Sequence, residues 1–170
     1  SFYGVVGIVK PDGGSIYLDG TSLNGLPMHK RAQAGISYLP QETSVFRRLT
    51  VEDNLRLVLE FQGLTAEEQE EAIDRLLKEF GMEDFRHTLA IQLSGGERRR
   101  IEIARALASN PSYLLLDEPF TGIDPIAIQD IQRLIRQLRE RGLGILLTDH
   151  NPKATLSIVD RAYIVHDGKI

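Results

Sequence analysis

The stretch Tyr113-Leu114-Leu115-Leu116-Asp117-Glu118 decides the fold. An unbroken apolar run ending in acid is what a strand buried on both faces of a parallel sheet requires, with the acids emerging at its carboxyl end. A similar pattern recurs downstream, where Gly144-Ile145-Leu146-Leu147-Thr148 reads as a second buried strand that delivers Asp149 and His150 to the same kind of edge. Between the two, Asp124-Pro125 opens a helix with the stripe Ile128, Ile131, Leu134, Ile135 and Leu138, and Gly142 lies past its last turn. Strand, helix, strand at this spacing predicts right-handed crossovers in a doubly wound α/β sheet. A last strand is expected at Ala162-Tyr163-Ile164-Val165, before Gly168.

Working upstream, Leu93-Ser94-Gly95-Gly96-Glu97 caps a helix that turns Ile101, Ile103, Ala104, Leu107 and Ala108 inward, and its start opens on two glycines. Residues 50–90 read as a helical lobe. Thr50 with Asp53 caps its first helix, which carries Leu55, Val58 and Leu59. Thr65 with Glu68 forms a capping box on its second, where Ala72, Ile73, Leu76, Leu77 and Phe80 make the stripe and Gly81 the stop. Gly35 to Leu39 reads as a strand that Pro40 ends, which leaves Gln41 just beyond a strand terminus. Ser15 to Gly20 reads as a short strand closed by a turn. Ser1 to Val9 is apolar almost throughout, with no polar lead-in, and reads as a core segment entered midway, so the chain is expected to be truncated upstream.

Composition narrows the functional classes. The 170 residues, 42% apolar, suffice for a globular core. Having no cysteine excludes disulfides and thiolate metal sites within the sequence, and suits a reducing compartment. A net charge of −4 argues against a nucleic-acid backbone as the main partner, which favours a basic surface. No apolar run reaches the roughly eighteen residues of a spanning helix, and no export leader is visible. The arginine runs Arg47-Arg48 and Arg98-Arg99-Arg100 are expected to be solvated faces.

In open parallel sheets ligands bind outside the carboxyl ends of the strands, where Gln41, Asp117, Glu118 and His150 are predicted to meet. Two adjacent acids after an apolar strand suit a divalent-metal nucleotide site: one carboxylate holds the ion and the next orients or deprotonates a water. Ser94-Gly95-Gly96-Glu97 offers a second anion site, because the free N–H groups of a helix start favour phosphate and glycine leaves them open. Taken singly, each element also has an ordinary reading: a strand-end turn, a capping box, a packed histidine.

Together and in this order they resemble one family. Gln41 as the Q-loop, Leu93 to Glu97 as the signature, Leu114 to Pro119 as Walker B, Gly122-Ile123-Asp124 as the D-loop and Thr148-Asp149-His150 as the switch histidine are similar to the ABC-type ATPases. The resemblance implies a P-loop NTPase-like (RecA-like) core over residues 1–49 and 91–170, with an inserted helical subdomain at 50–90. Tyr38 to Glu42, Phe46 to Thr50, Leu93 to Arg100, Glu118 to Pro125 and Thr148 to Asn151 further resemble the ATPases that power lipopolysaccharide export, with branched-chain amino-acid importers carrying related stretches.

That resemblance implies ATP and Mg²⁺ as ligands, a second copy of the chain paired head to tail, integral membrane subunits as partners, and a place on the cytoplasmic face of the inner membrane. It casts Asp117 as the residue that organises Mg²⁺, Glu118 as the base for the attacking water, His150 as the contact to the γ-phosphate and Gln41 as the sensor of metal and water. Ser94, Gly95, Gly96 and Glu97 serve the partner's ATP, Asp124 links the two sites, and Phe46, Arg47 and Arg48 border a groove for the membrane partner. One element of the family is not among the 170 residues: no G-x-x-x-x-G-K-[ST] occurs, and residues 1–9 match the helix just after it. Since that loop is the main grip on ATP, the chain on its own is expected not to turn ATP over, and a non-catalytic binding module is the rival reading. ABC proteins of DNA repair or translation fit less well, because the compact stretch between Gln41 and Leu93 has no room for a long coiled-coil insertion.

Overall fold

The computed structural model describes residues 2–167. A short helix α1 (Phe2–Val6) precedes an antiparallel hairpin of β1 (Tyr17–Leu18) and β2 (Thr21–Ser22). Helix α2 (Met28–Gln33) leads into β3 (Ile36–Leu39), and α3 (Val51–Leu59), α4 (Ala66–Phe80) and α5 (Gly95–Leu107) follow. Strand β4 (Tyr113–Asp117), helix α6 (Pro125–Glu140), strand β5 (Gly144–Thr148) and helix α7 (Pro152–Leu156) complete the order.

Strands β3, β4 and β5 form a parallel sheet in that order, with Leu39 beside Leu116 and Asp117 beside Thr148. The central strand divides its leucines by the two-residue alternation of a pleat. Leu114 and Leu116 enter a large apolar cluster with Ile73, Leu77, Ile101 and Ile131, while Leu115 faces Phe2, Val6, Leu23 and Ile36. Removing one such leucine side chain from water contributes roughly 1.5–3 kcal/mol, so β4 is the anchor of both layers. The larger cluster runs without a break from α3 and α4 through α5 and α6 to the sheet.

Helix ends follow the sequence closely. Thr50 and Ser94 accept hydrogen bonds from the third residue of their helices, Thr65 and Ser94 complete capping boxes with Glu68 and Glu97, and Asp124 accepts from Ile126 and Ala127 ahead of Pro125. Gly81 closes α4 in the left-handed conformation at φ 59°.

Three expectations are corrected. β5 is not a buried strand: Leu146 is 48% exposed, because one edge of β5 has no strand beside it among the described residues and its flank lines a cleft of about 740 Å³ with Phe2, Val5 and Tyr163. Ala162 to Val165 forms no strand and lies exposed, having no neighbouring strand among the described residues to pair its backbone. Gly168, which was to bound that strand, lies outside the described residues. The third correction concerns Arg98-Arg99-Arg100, of which Arg99 is 5% exposed, held inside by a carboxylate and three carbonyls. No helix among the described residues is long and apolar enough to cross a membrane.

Candidate active site

Parallel pairing brings the carboxyl ends of β3, β4 and β5 to one edge, where Asp117 ends β4 and the loops that follow the three strands carry Gln41, Glu118 and His150. Glu118 is the centre. Its Oε2 accepts from Gln41 Nε2 at 2.9 Å and from Thr121 Oγ1 at 2.9 Å, and lies 3.2 Å from His150 Nδ1. Oε1 has no hydrogen-bond partner among the described residues. The backbone of Glu118 sits at φ +44°, in the left-handed region where a side chain without a local hydrogen bond to its own backbone costs about 1–3 kcal/mol. Two bonds oppose that cost: Glu118 N–H donates to Thr148 O at 2.9 Å, and Thr121 N–H donates to Glu118 O at 3.2 Å.

Asp117 is fixed from both neighbouring strands. Thr148 Oγ1 donates to Oδ1 at 2.7 Å and the Tyr38 hydroxyl donates to Oδ2 at 3.1 Å. Burial first, and the hydrogen bond to Asp117 second, raise the Tyr38 phenol well above its ordinary value, so it remains a donor throughout the range in which proteins are folded. Asp149 ties the two loops together by accepting from Phe120 N–H at 3.3 Å and Asn151 N–H at 2.8 Å. His150, beside it, is largely exposed and free of core packing.

The predicted helix-start site is a separate cluster. Ser94 and Gly95 are exposed, and Glu97 is turned back on the cap, its Oε2 accepting from Ser94 N–H at 2.8 Å. This leaves the first N–H groups of α5 without intrahelical partners. Gly96 is required by packing: a Cβ there would stand 2.6 Å from that of Ala127, in the first turn of α6. Gly95 faces the Gly122 carbonyl, so the starts of α5 and α6 lie together, with Asp124 capping the latter. Among the described residues no hydrogen bond joins Ser94 or Glu97 to the Glu118 cluster. The α5 start and the Glu118 edge are thus two distinct clusters on one chain.

Among the described residues, no three carboxylate or imidazole side chains gather closely enough to hold a metal by themselves. The Asp117 carboxylate suits Mg²⁺ instead, an ion commonly held by one or two carboxylates together with substrate phosphates and water, while the Gln41 side chain is bonded to the adjacent Glu118. Sequence reasoning gave no part to Tyr38, Thr121 or Arg99. Tyr38 gives no local signal, since its contact with Asp117 depends on strand register. Arg99 had one: Glu102 lies three residues on, flanked by Ile101 and Ile103, and a carboxylate in so apolar a setting calls for a cation.

The family model for ABC transporters matches residues 3–121. The chain is 57% identical over 171 residues to the lipopolysaccharide export system ATP-binding protein LptB of Haemophilus influenzae, covering 100% of this chain and 71% of that protein. It is 54% identical to the protein of the same name in Escherichia coli, again covering 100% of this chain and 71% of that one. Among solved structures, it is similar to a dimeric ATP-binding cassette in a post-hydrolysis state bound to ADP and Pi, at a TM-score of 0.77, 28% identity, and coverage of 90% of this chain and 70% of the other.

Proposed function

The chain belongs to the ABC transporter family, and on that premise we propose that this ATP-binding subunit hydrolyses ATP at the Glu118 edge to drive lipopolysaccharide export. The observation that carries the chemistry is the Glu118 carboxylate, with Oε2 engaged by Gln41, Thr121 and His150 and its other oxygen left open. Oε1 takes a proton from the attacking water as the water oxygen bonds to the γ-phosphorus and the bond to the leaving ADP oxygen breaks. Gln41 and His150 orient that carboxylate, and His150, exposed at the edge, reaches the γ-phosphate. Asp117 is held by Tyr38 and Thr148 in position to organise Mg²⁺, which, when bound, offsets the charge of the phosphates.

Ser94, Gly95 and Gly96 present a helix start to a phosphate of the ATP held by a second copy, Glu97 keeps that start capped, and Asp124 stands at the junction between the two sites. Support for pairing comes from the separation of the two clusters on one chain and from the dimeric cassette it resembles. Residues 50–90 act as the helical subdomain, and 1–49 with 91–170 as the core that handles nucleotide. Phe46, Arg47 and Arg48, all exposed, border the surface that receives an integral membrane subunit, and the protein works at the cytoplasmic face of the inner membrane; the exposure of those three side chains supports the docking role. None of the 170 residues forms a G-x-x-x-x-G-K-[ST] loop, so this stretch alone is expected to turn over no ATP.

Glu118→Gln in the full-length protein tests the reading. Losing a positioned base lowers turnover by about 10²–10⁴-fold while ATP still binds and is trapped. Parental turnover in that variant refutes Glu118 as the base.

A further inference from the structure

Arg99 and Glu102, on α5, form an ion pair at 3.0 Å with side chains 5% and 4% exposed. Neither touches the proposed reacting groups. Arg99 instead spreads its guanidinium over the backbone that carries them: Nη1 donates to Pro40 O at 3.1 Å, just before Gln41, Nη2 to Asp117 O at 3.3 Å, and Nε to Pro119 O at 3.3 Å. The last two carbonyls flank Glu118, the residue held at φ +44°. Glu102 adds a fourth tie, its Oε1 accepting from Ser44 N–H at 2.7 Å, three residues past Gln41.

We propose that the Arg99–Glu102 pair is a positioning device that holds Glu118 and Gln41 in register and ties them to the helix beginning at Ser94. The inference rests on the reading of Glu118 as the base. The guanidinium suits the task because its planar fork reaches three carbonyls and a carboxylate at once, which an ammonium on a flexible stem does not. Burial supplies the rigidity: with Arg99 and Glu102 almost wholly shielded from solvent, their hydrogen bonds to the loops they bridge are strong and hold those loops together. A signal at the exposed start of α5 thereby has a short, dry route to both catalytic loops, since Arg99 lies five residues past Ser94.

The test uses the full-length protein and two variants. Arg99→Lys keeps the charge opposite Glu102 but loses the fork, and the double variant Arg99→Met with Glu102→Leu replaces the pair by apolar side chains, a change that folded proteins often tolerate. In either folded variant kcat falls about 10²-fold while KM for ATP moves less than about threefold, the signature of misplaced chemistry rather than lost binding. Amide hydrogen exchange at Glu118 and Thr121 rises about tenfold while that of Leu76 and Leu77 in α4 is unchanged. Parental behaviour in either readout overturns the proposal. If the double variant does not fold, Arg99→Lys decides alone. A parent protein with no ATPase activity sinks the reading of Glu118 instead, and the exchange comparison then judges Arg99 by itself.

Discussion

The helical stretch of residues 50–90 and the strand edge around Glu118 are built by opposite means. In the helical stretch, order is local. Thr65 and Glu68 cap each other over three residues, Gly81 stops the helix that Thr65 begins, and Ala72, Ile73, Leu76, Leu77 and Phe80 line one side of it. At the strand edge, order is long-range. Tyr38 reaches Asp117 across 79 positions, Gln41 reaches Glu118 across 77, and Thr148 reaches Asp117 across 31. The first region stores stability where its own sequence specifies it. The second holds a strained residue that only the assembled sheet keeps in place.

Ile73→Ala gives the largest stability effect that sharpens this contrast. Ile73 is fully buried in the shared apolar cluster, so its truncation costs about 2–5 kcal/mol of unfolding free energy while turnover per folded molecule is unchanged. Denaturant midpoints beside ATPase rates check it, and a matching collapse of turnover would dissolve the distinction between the regions.

A smaller effect probes the charged face of the helical stretch. Arg86 bridges Glu52, Glu70 and Asp74, and His87 Nδ1 lies 3.0 Å from Glu52. Burial pushes the Glu52 carboxyl up, but the hydrogen bonds from Arg86 and His87 outweigh it and hold the group below its ordinary value of 4.5. A folded-state value below the unfolded one contributes stability above the unfolded value and loses it as pH falls through the folded one. The stability gap between the parent and Glu52→Gln is therefore present at neutral pH and closes below the ordinary glutamate range. A gap that widens on acidification contradicts the assignment.

What the sequence made legible follows the same division. Helix starts at Thr50, Thr65, Ser94 and Asp124 were readable because a cap and its partner lie within three residues. The meeting of Gln41, Asp117, Glu118 and His150 was readable because parallel strands deliver their loops to one edge. The partners that hold these groups were not. Tyr38 reaches Asp117 through strand register, the buried state of Arg99 depends on carbonyls 18, 20 and 59 positions away, and the exposure of Leu146 depends on what lies beside β5. Local periodicity is silent on all three, and an apolar run does not say which of its edges is paired.

The account stands on a catalytic edge in one copy being completed by the α5 start of the other, and mixed dimers test that most directly. One pairs a Glu118→Gln chain with a Ser94→Arg chain; a second pairs a chain carrying both changes with an unchanged one, each purified through two tags from full-length protein. With shared sites, the first dimer concentrates both defects in one site and keeps about half the parental turnover, while the second spoils both sites and is nearly inactive. The reverse ranking, with the second dimer active and the first inactive, means each chain works by itself and contradicts the account.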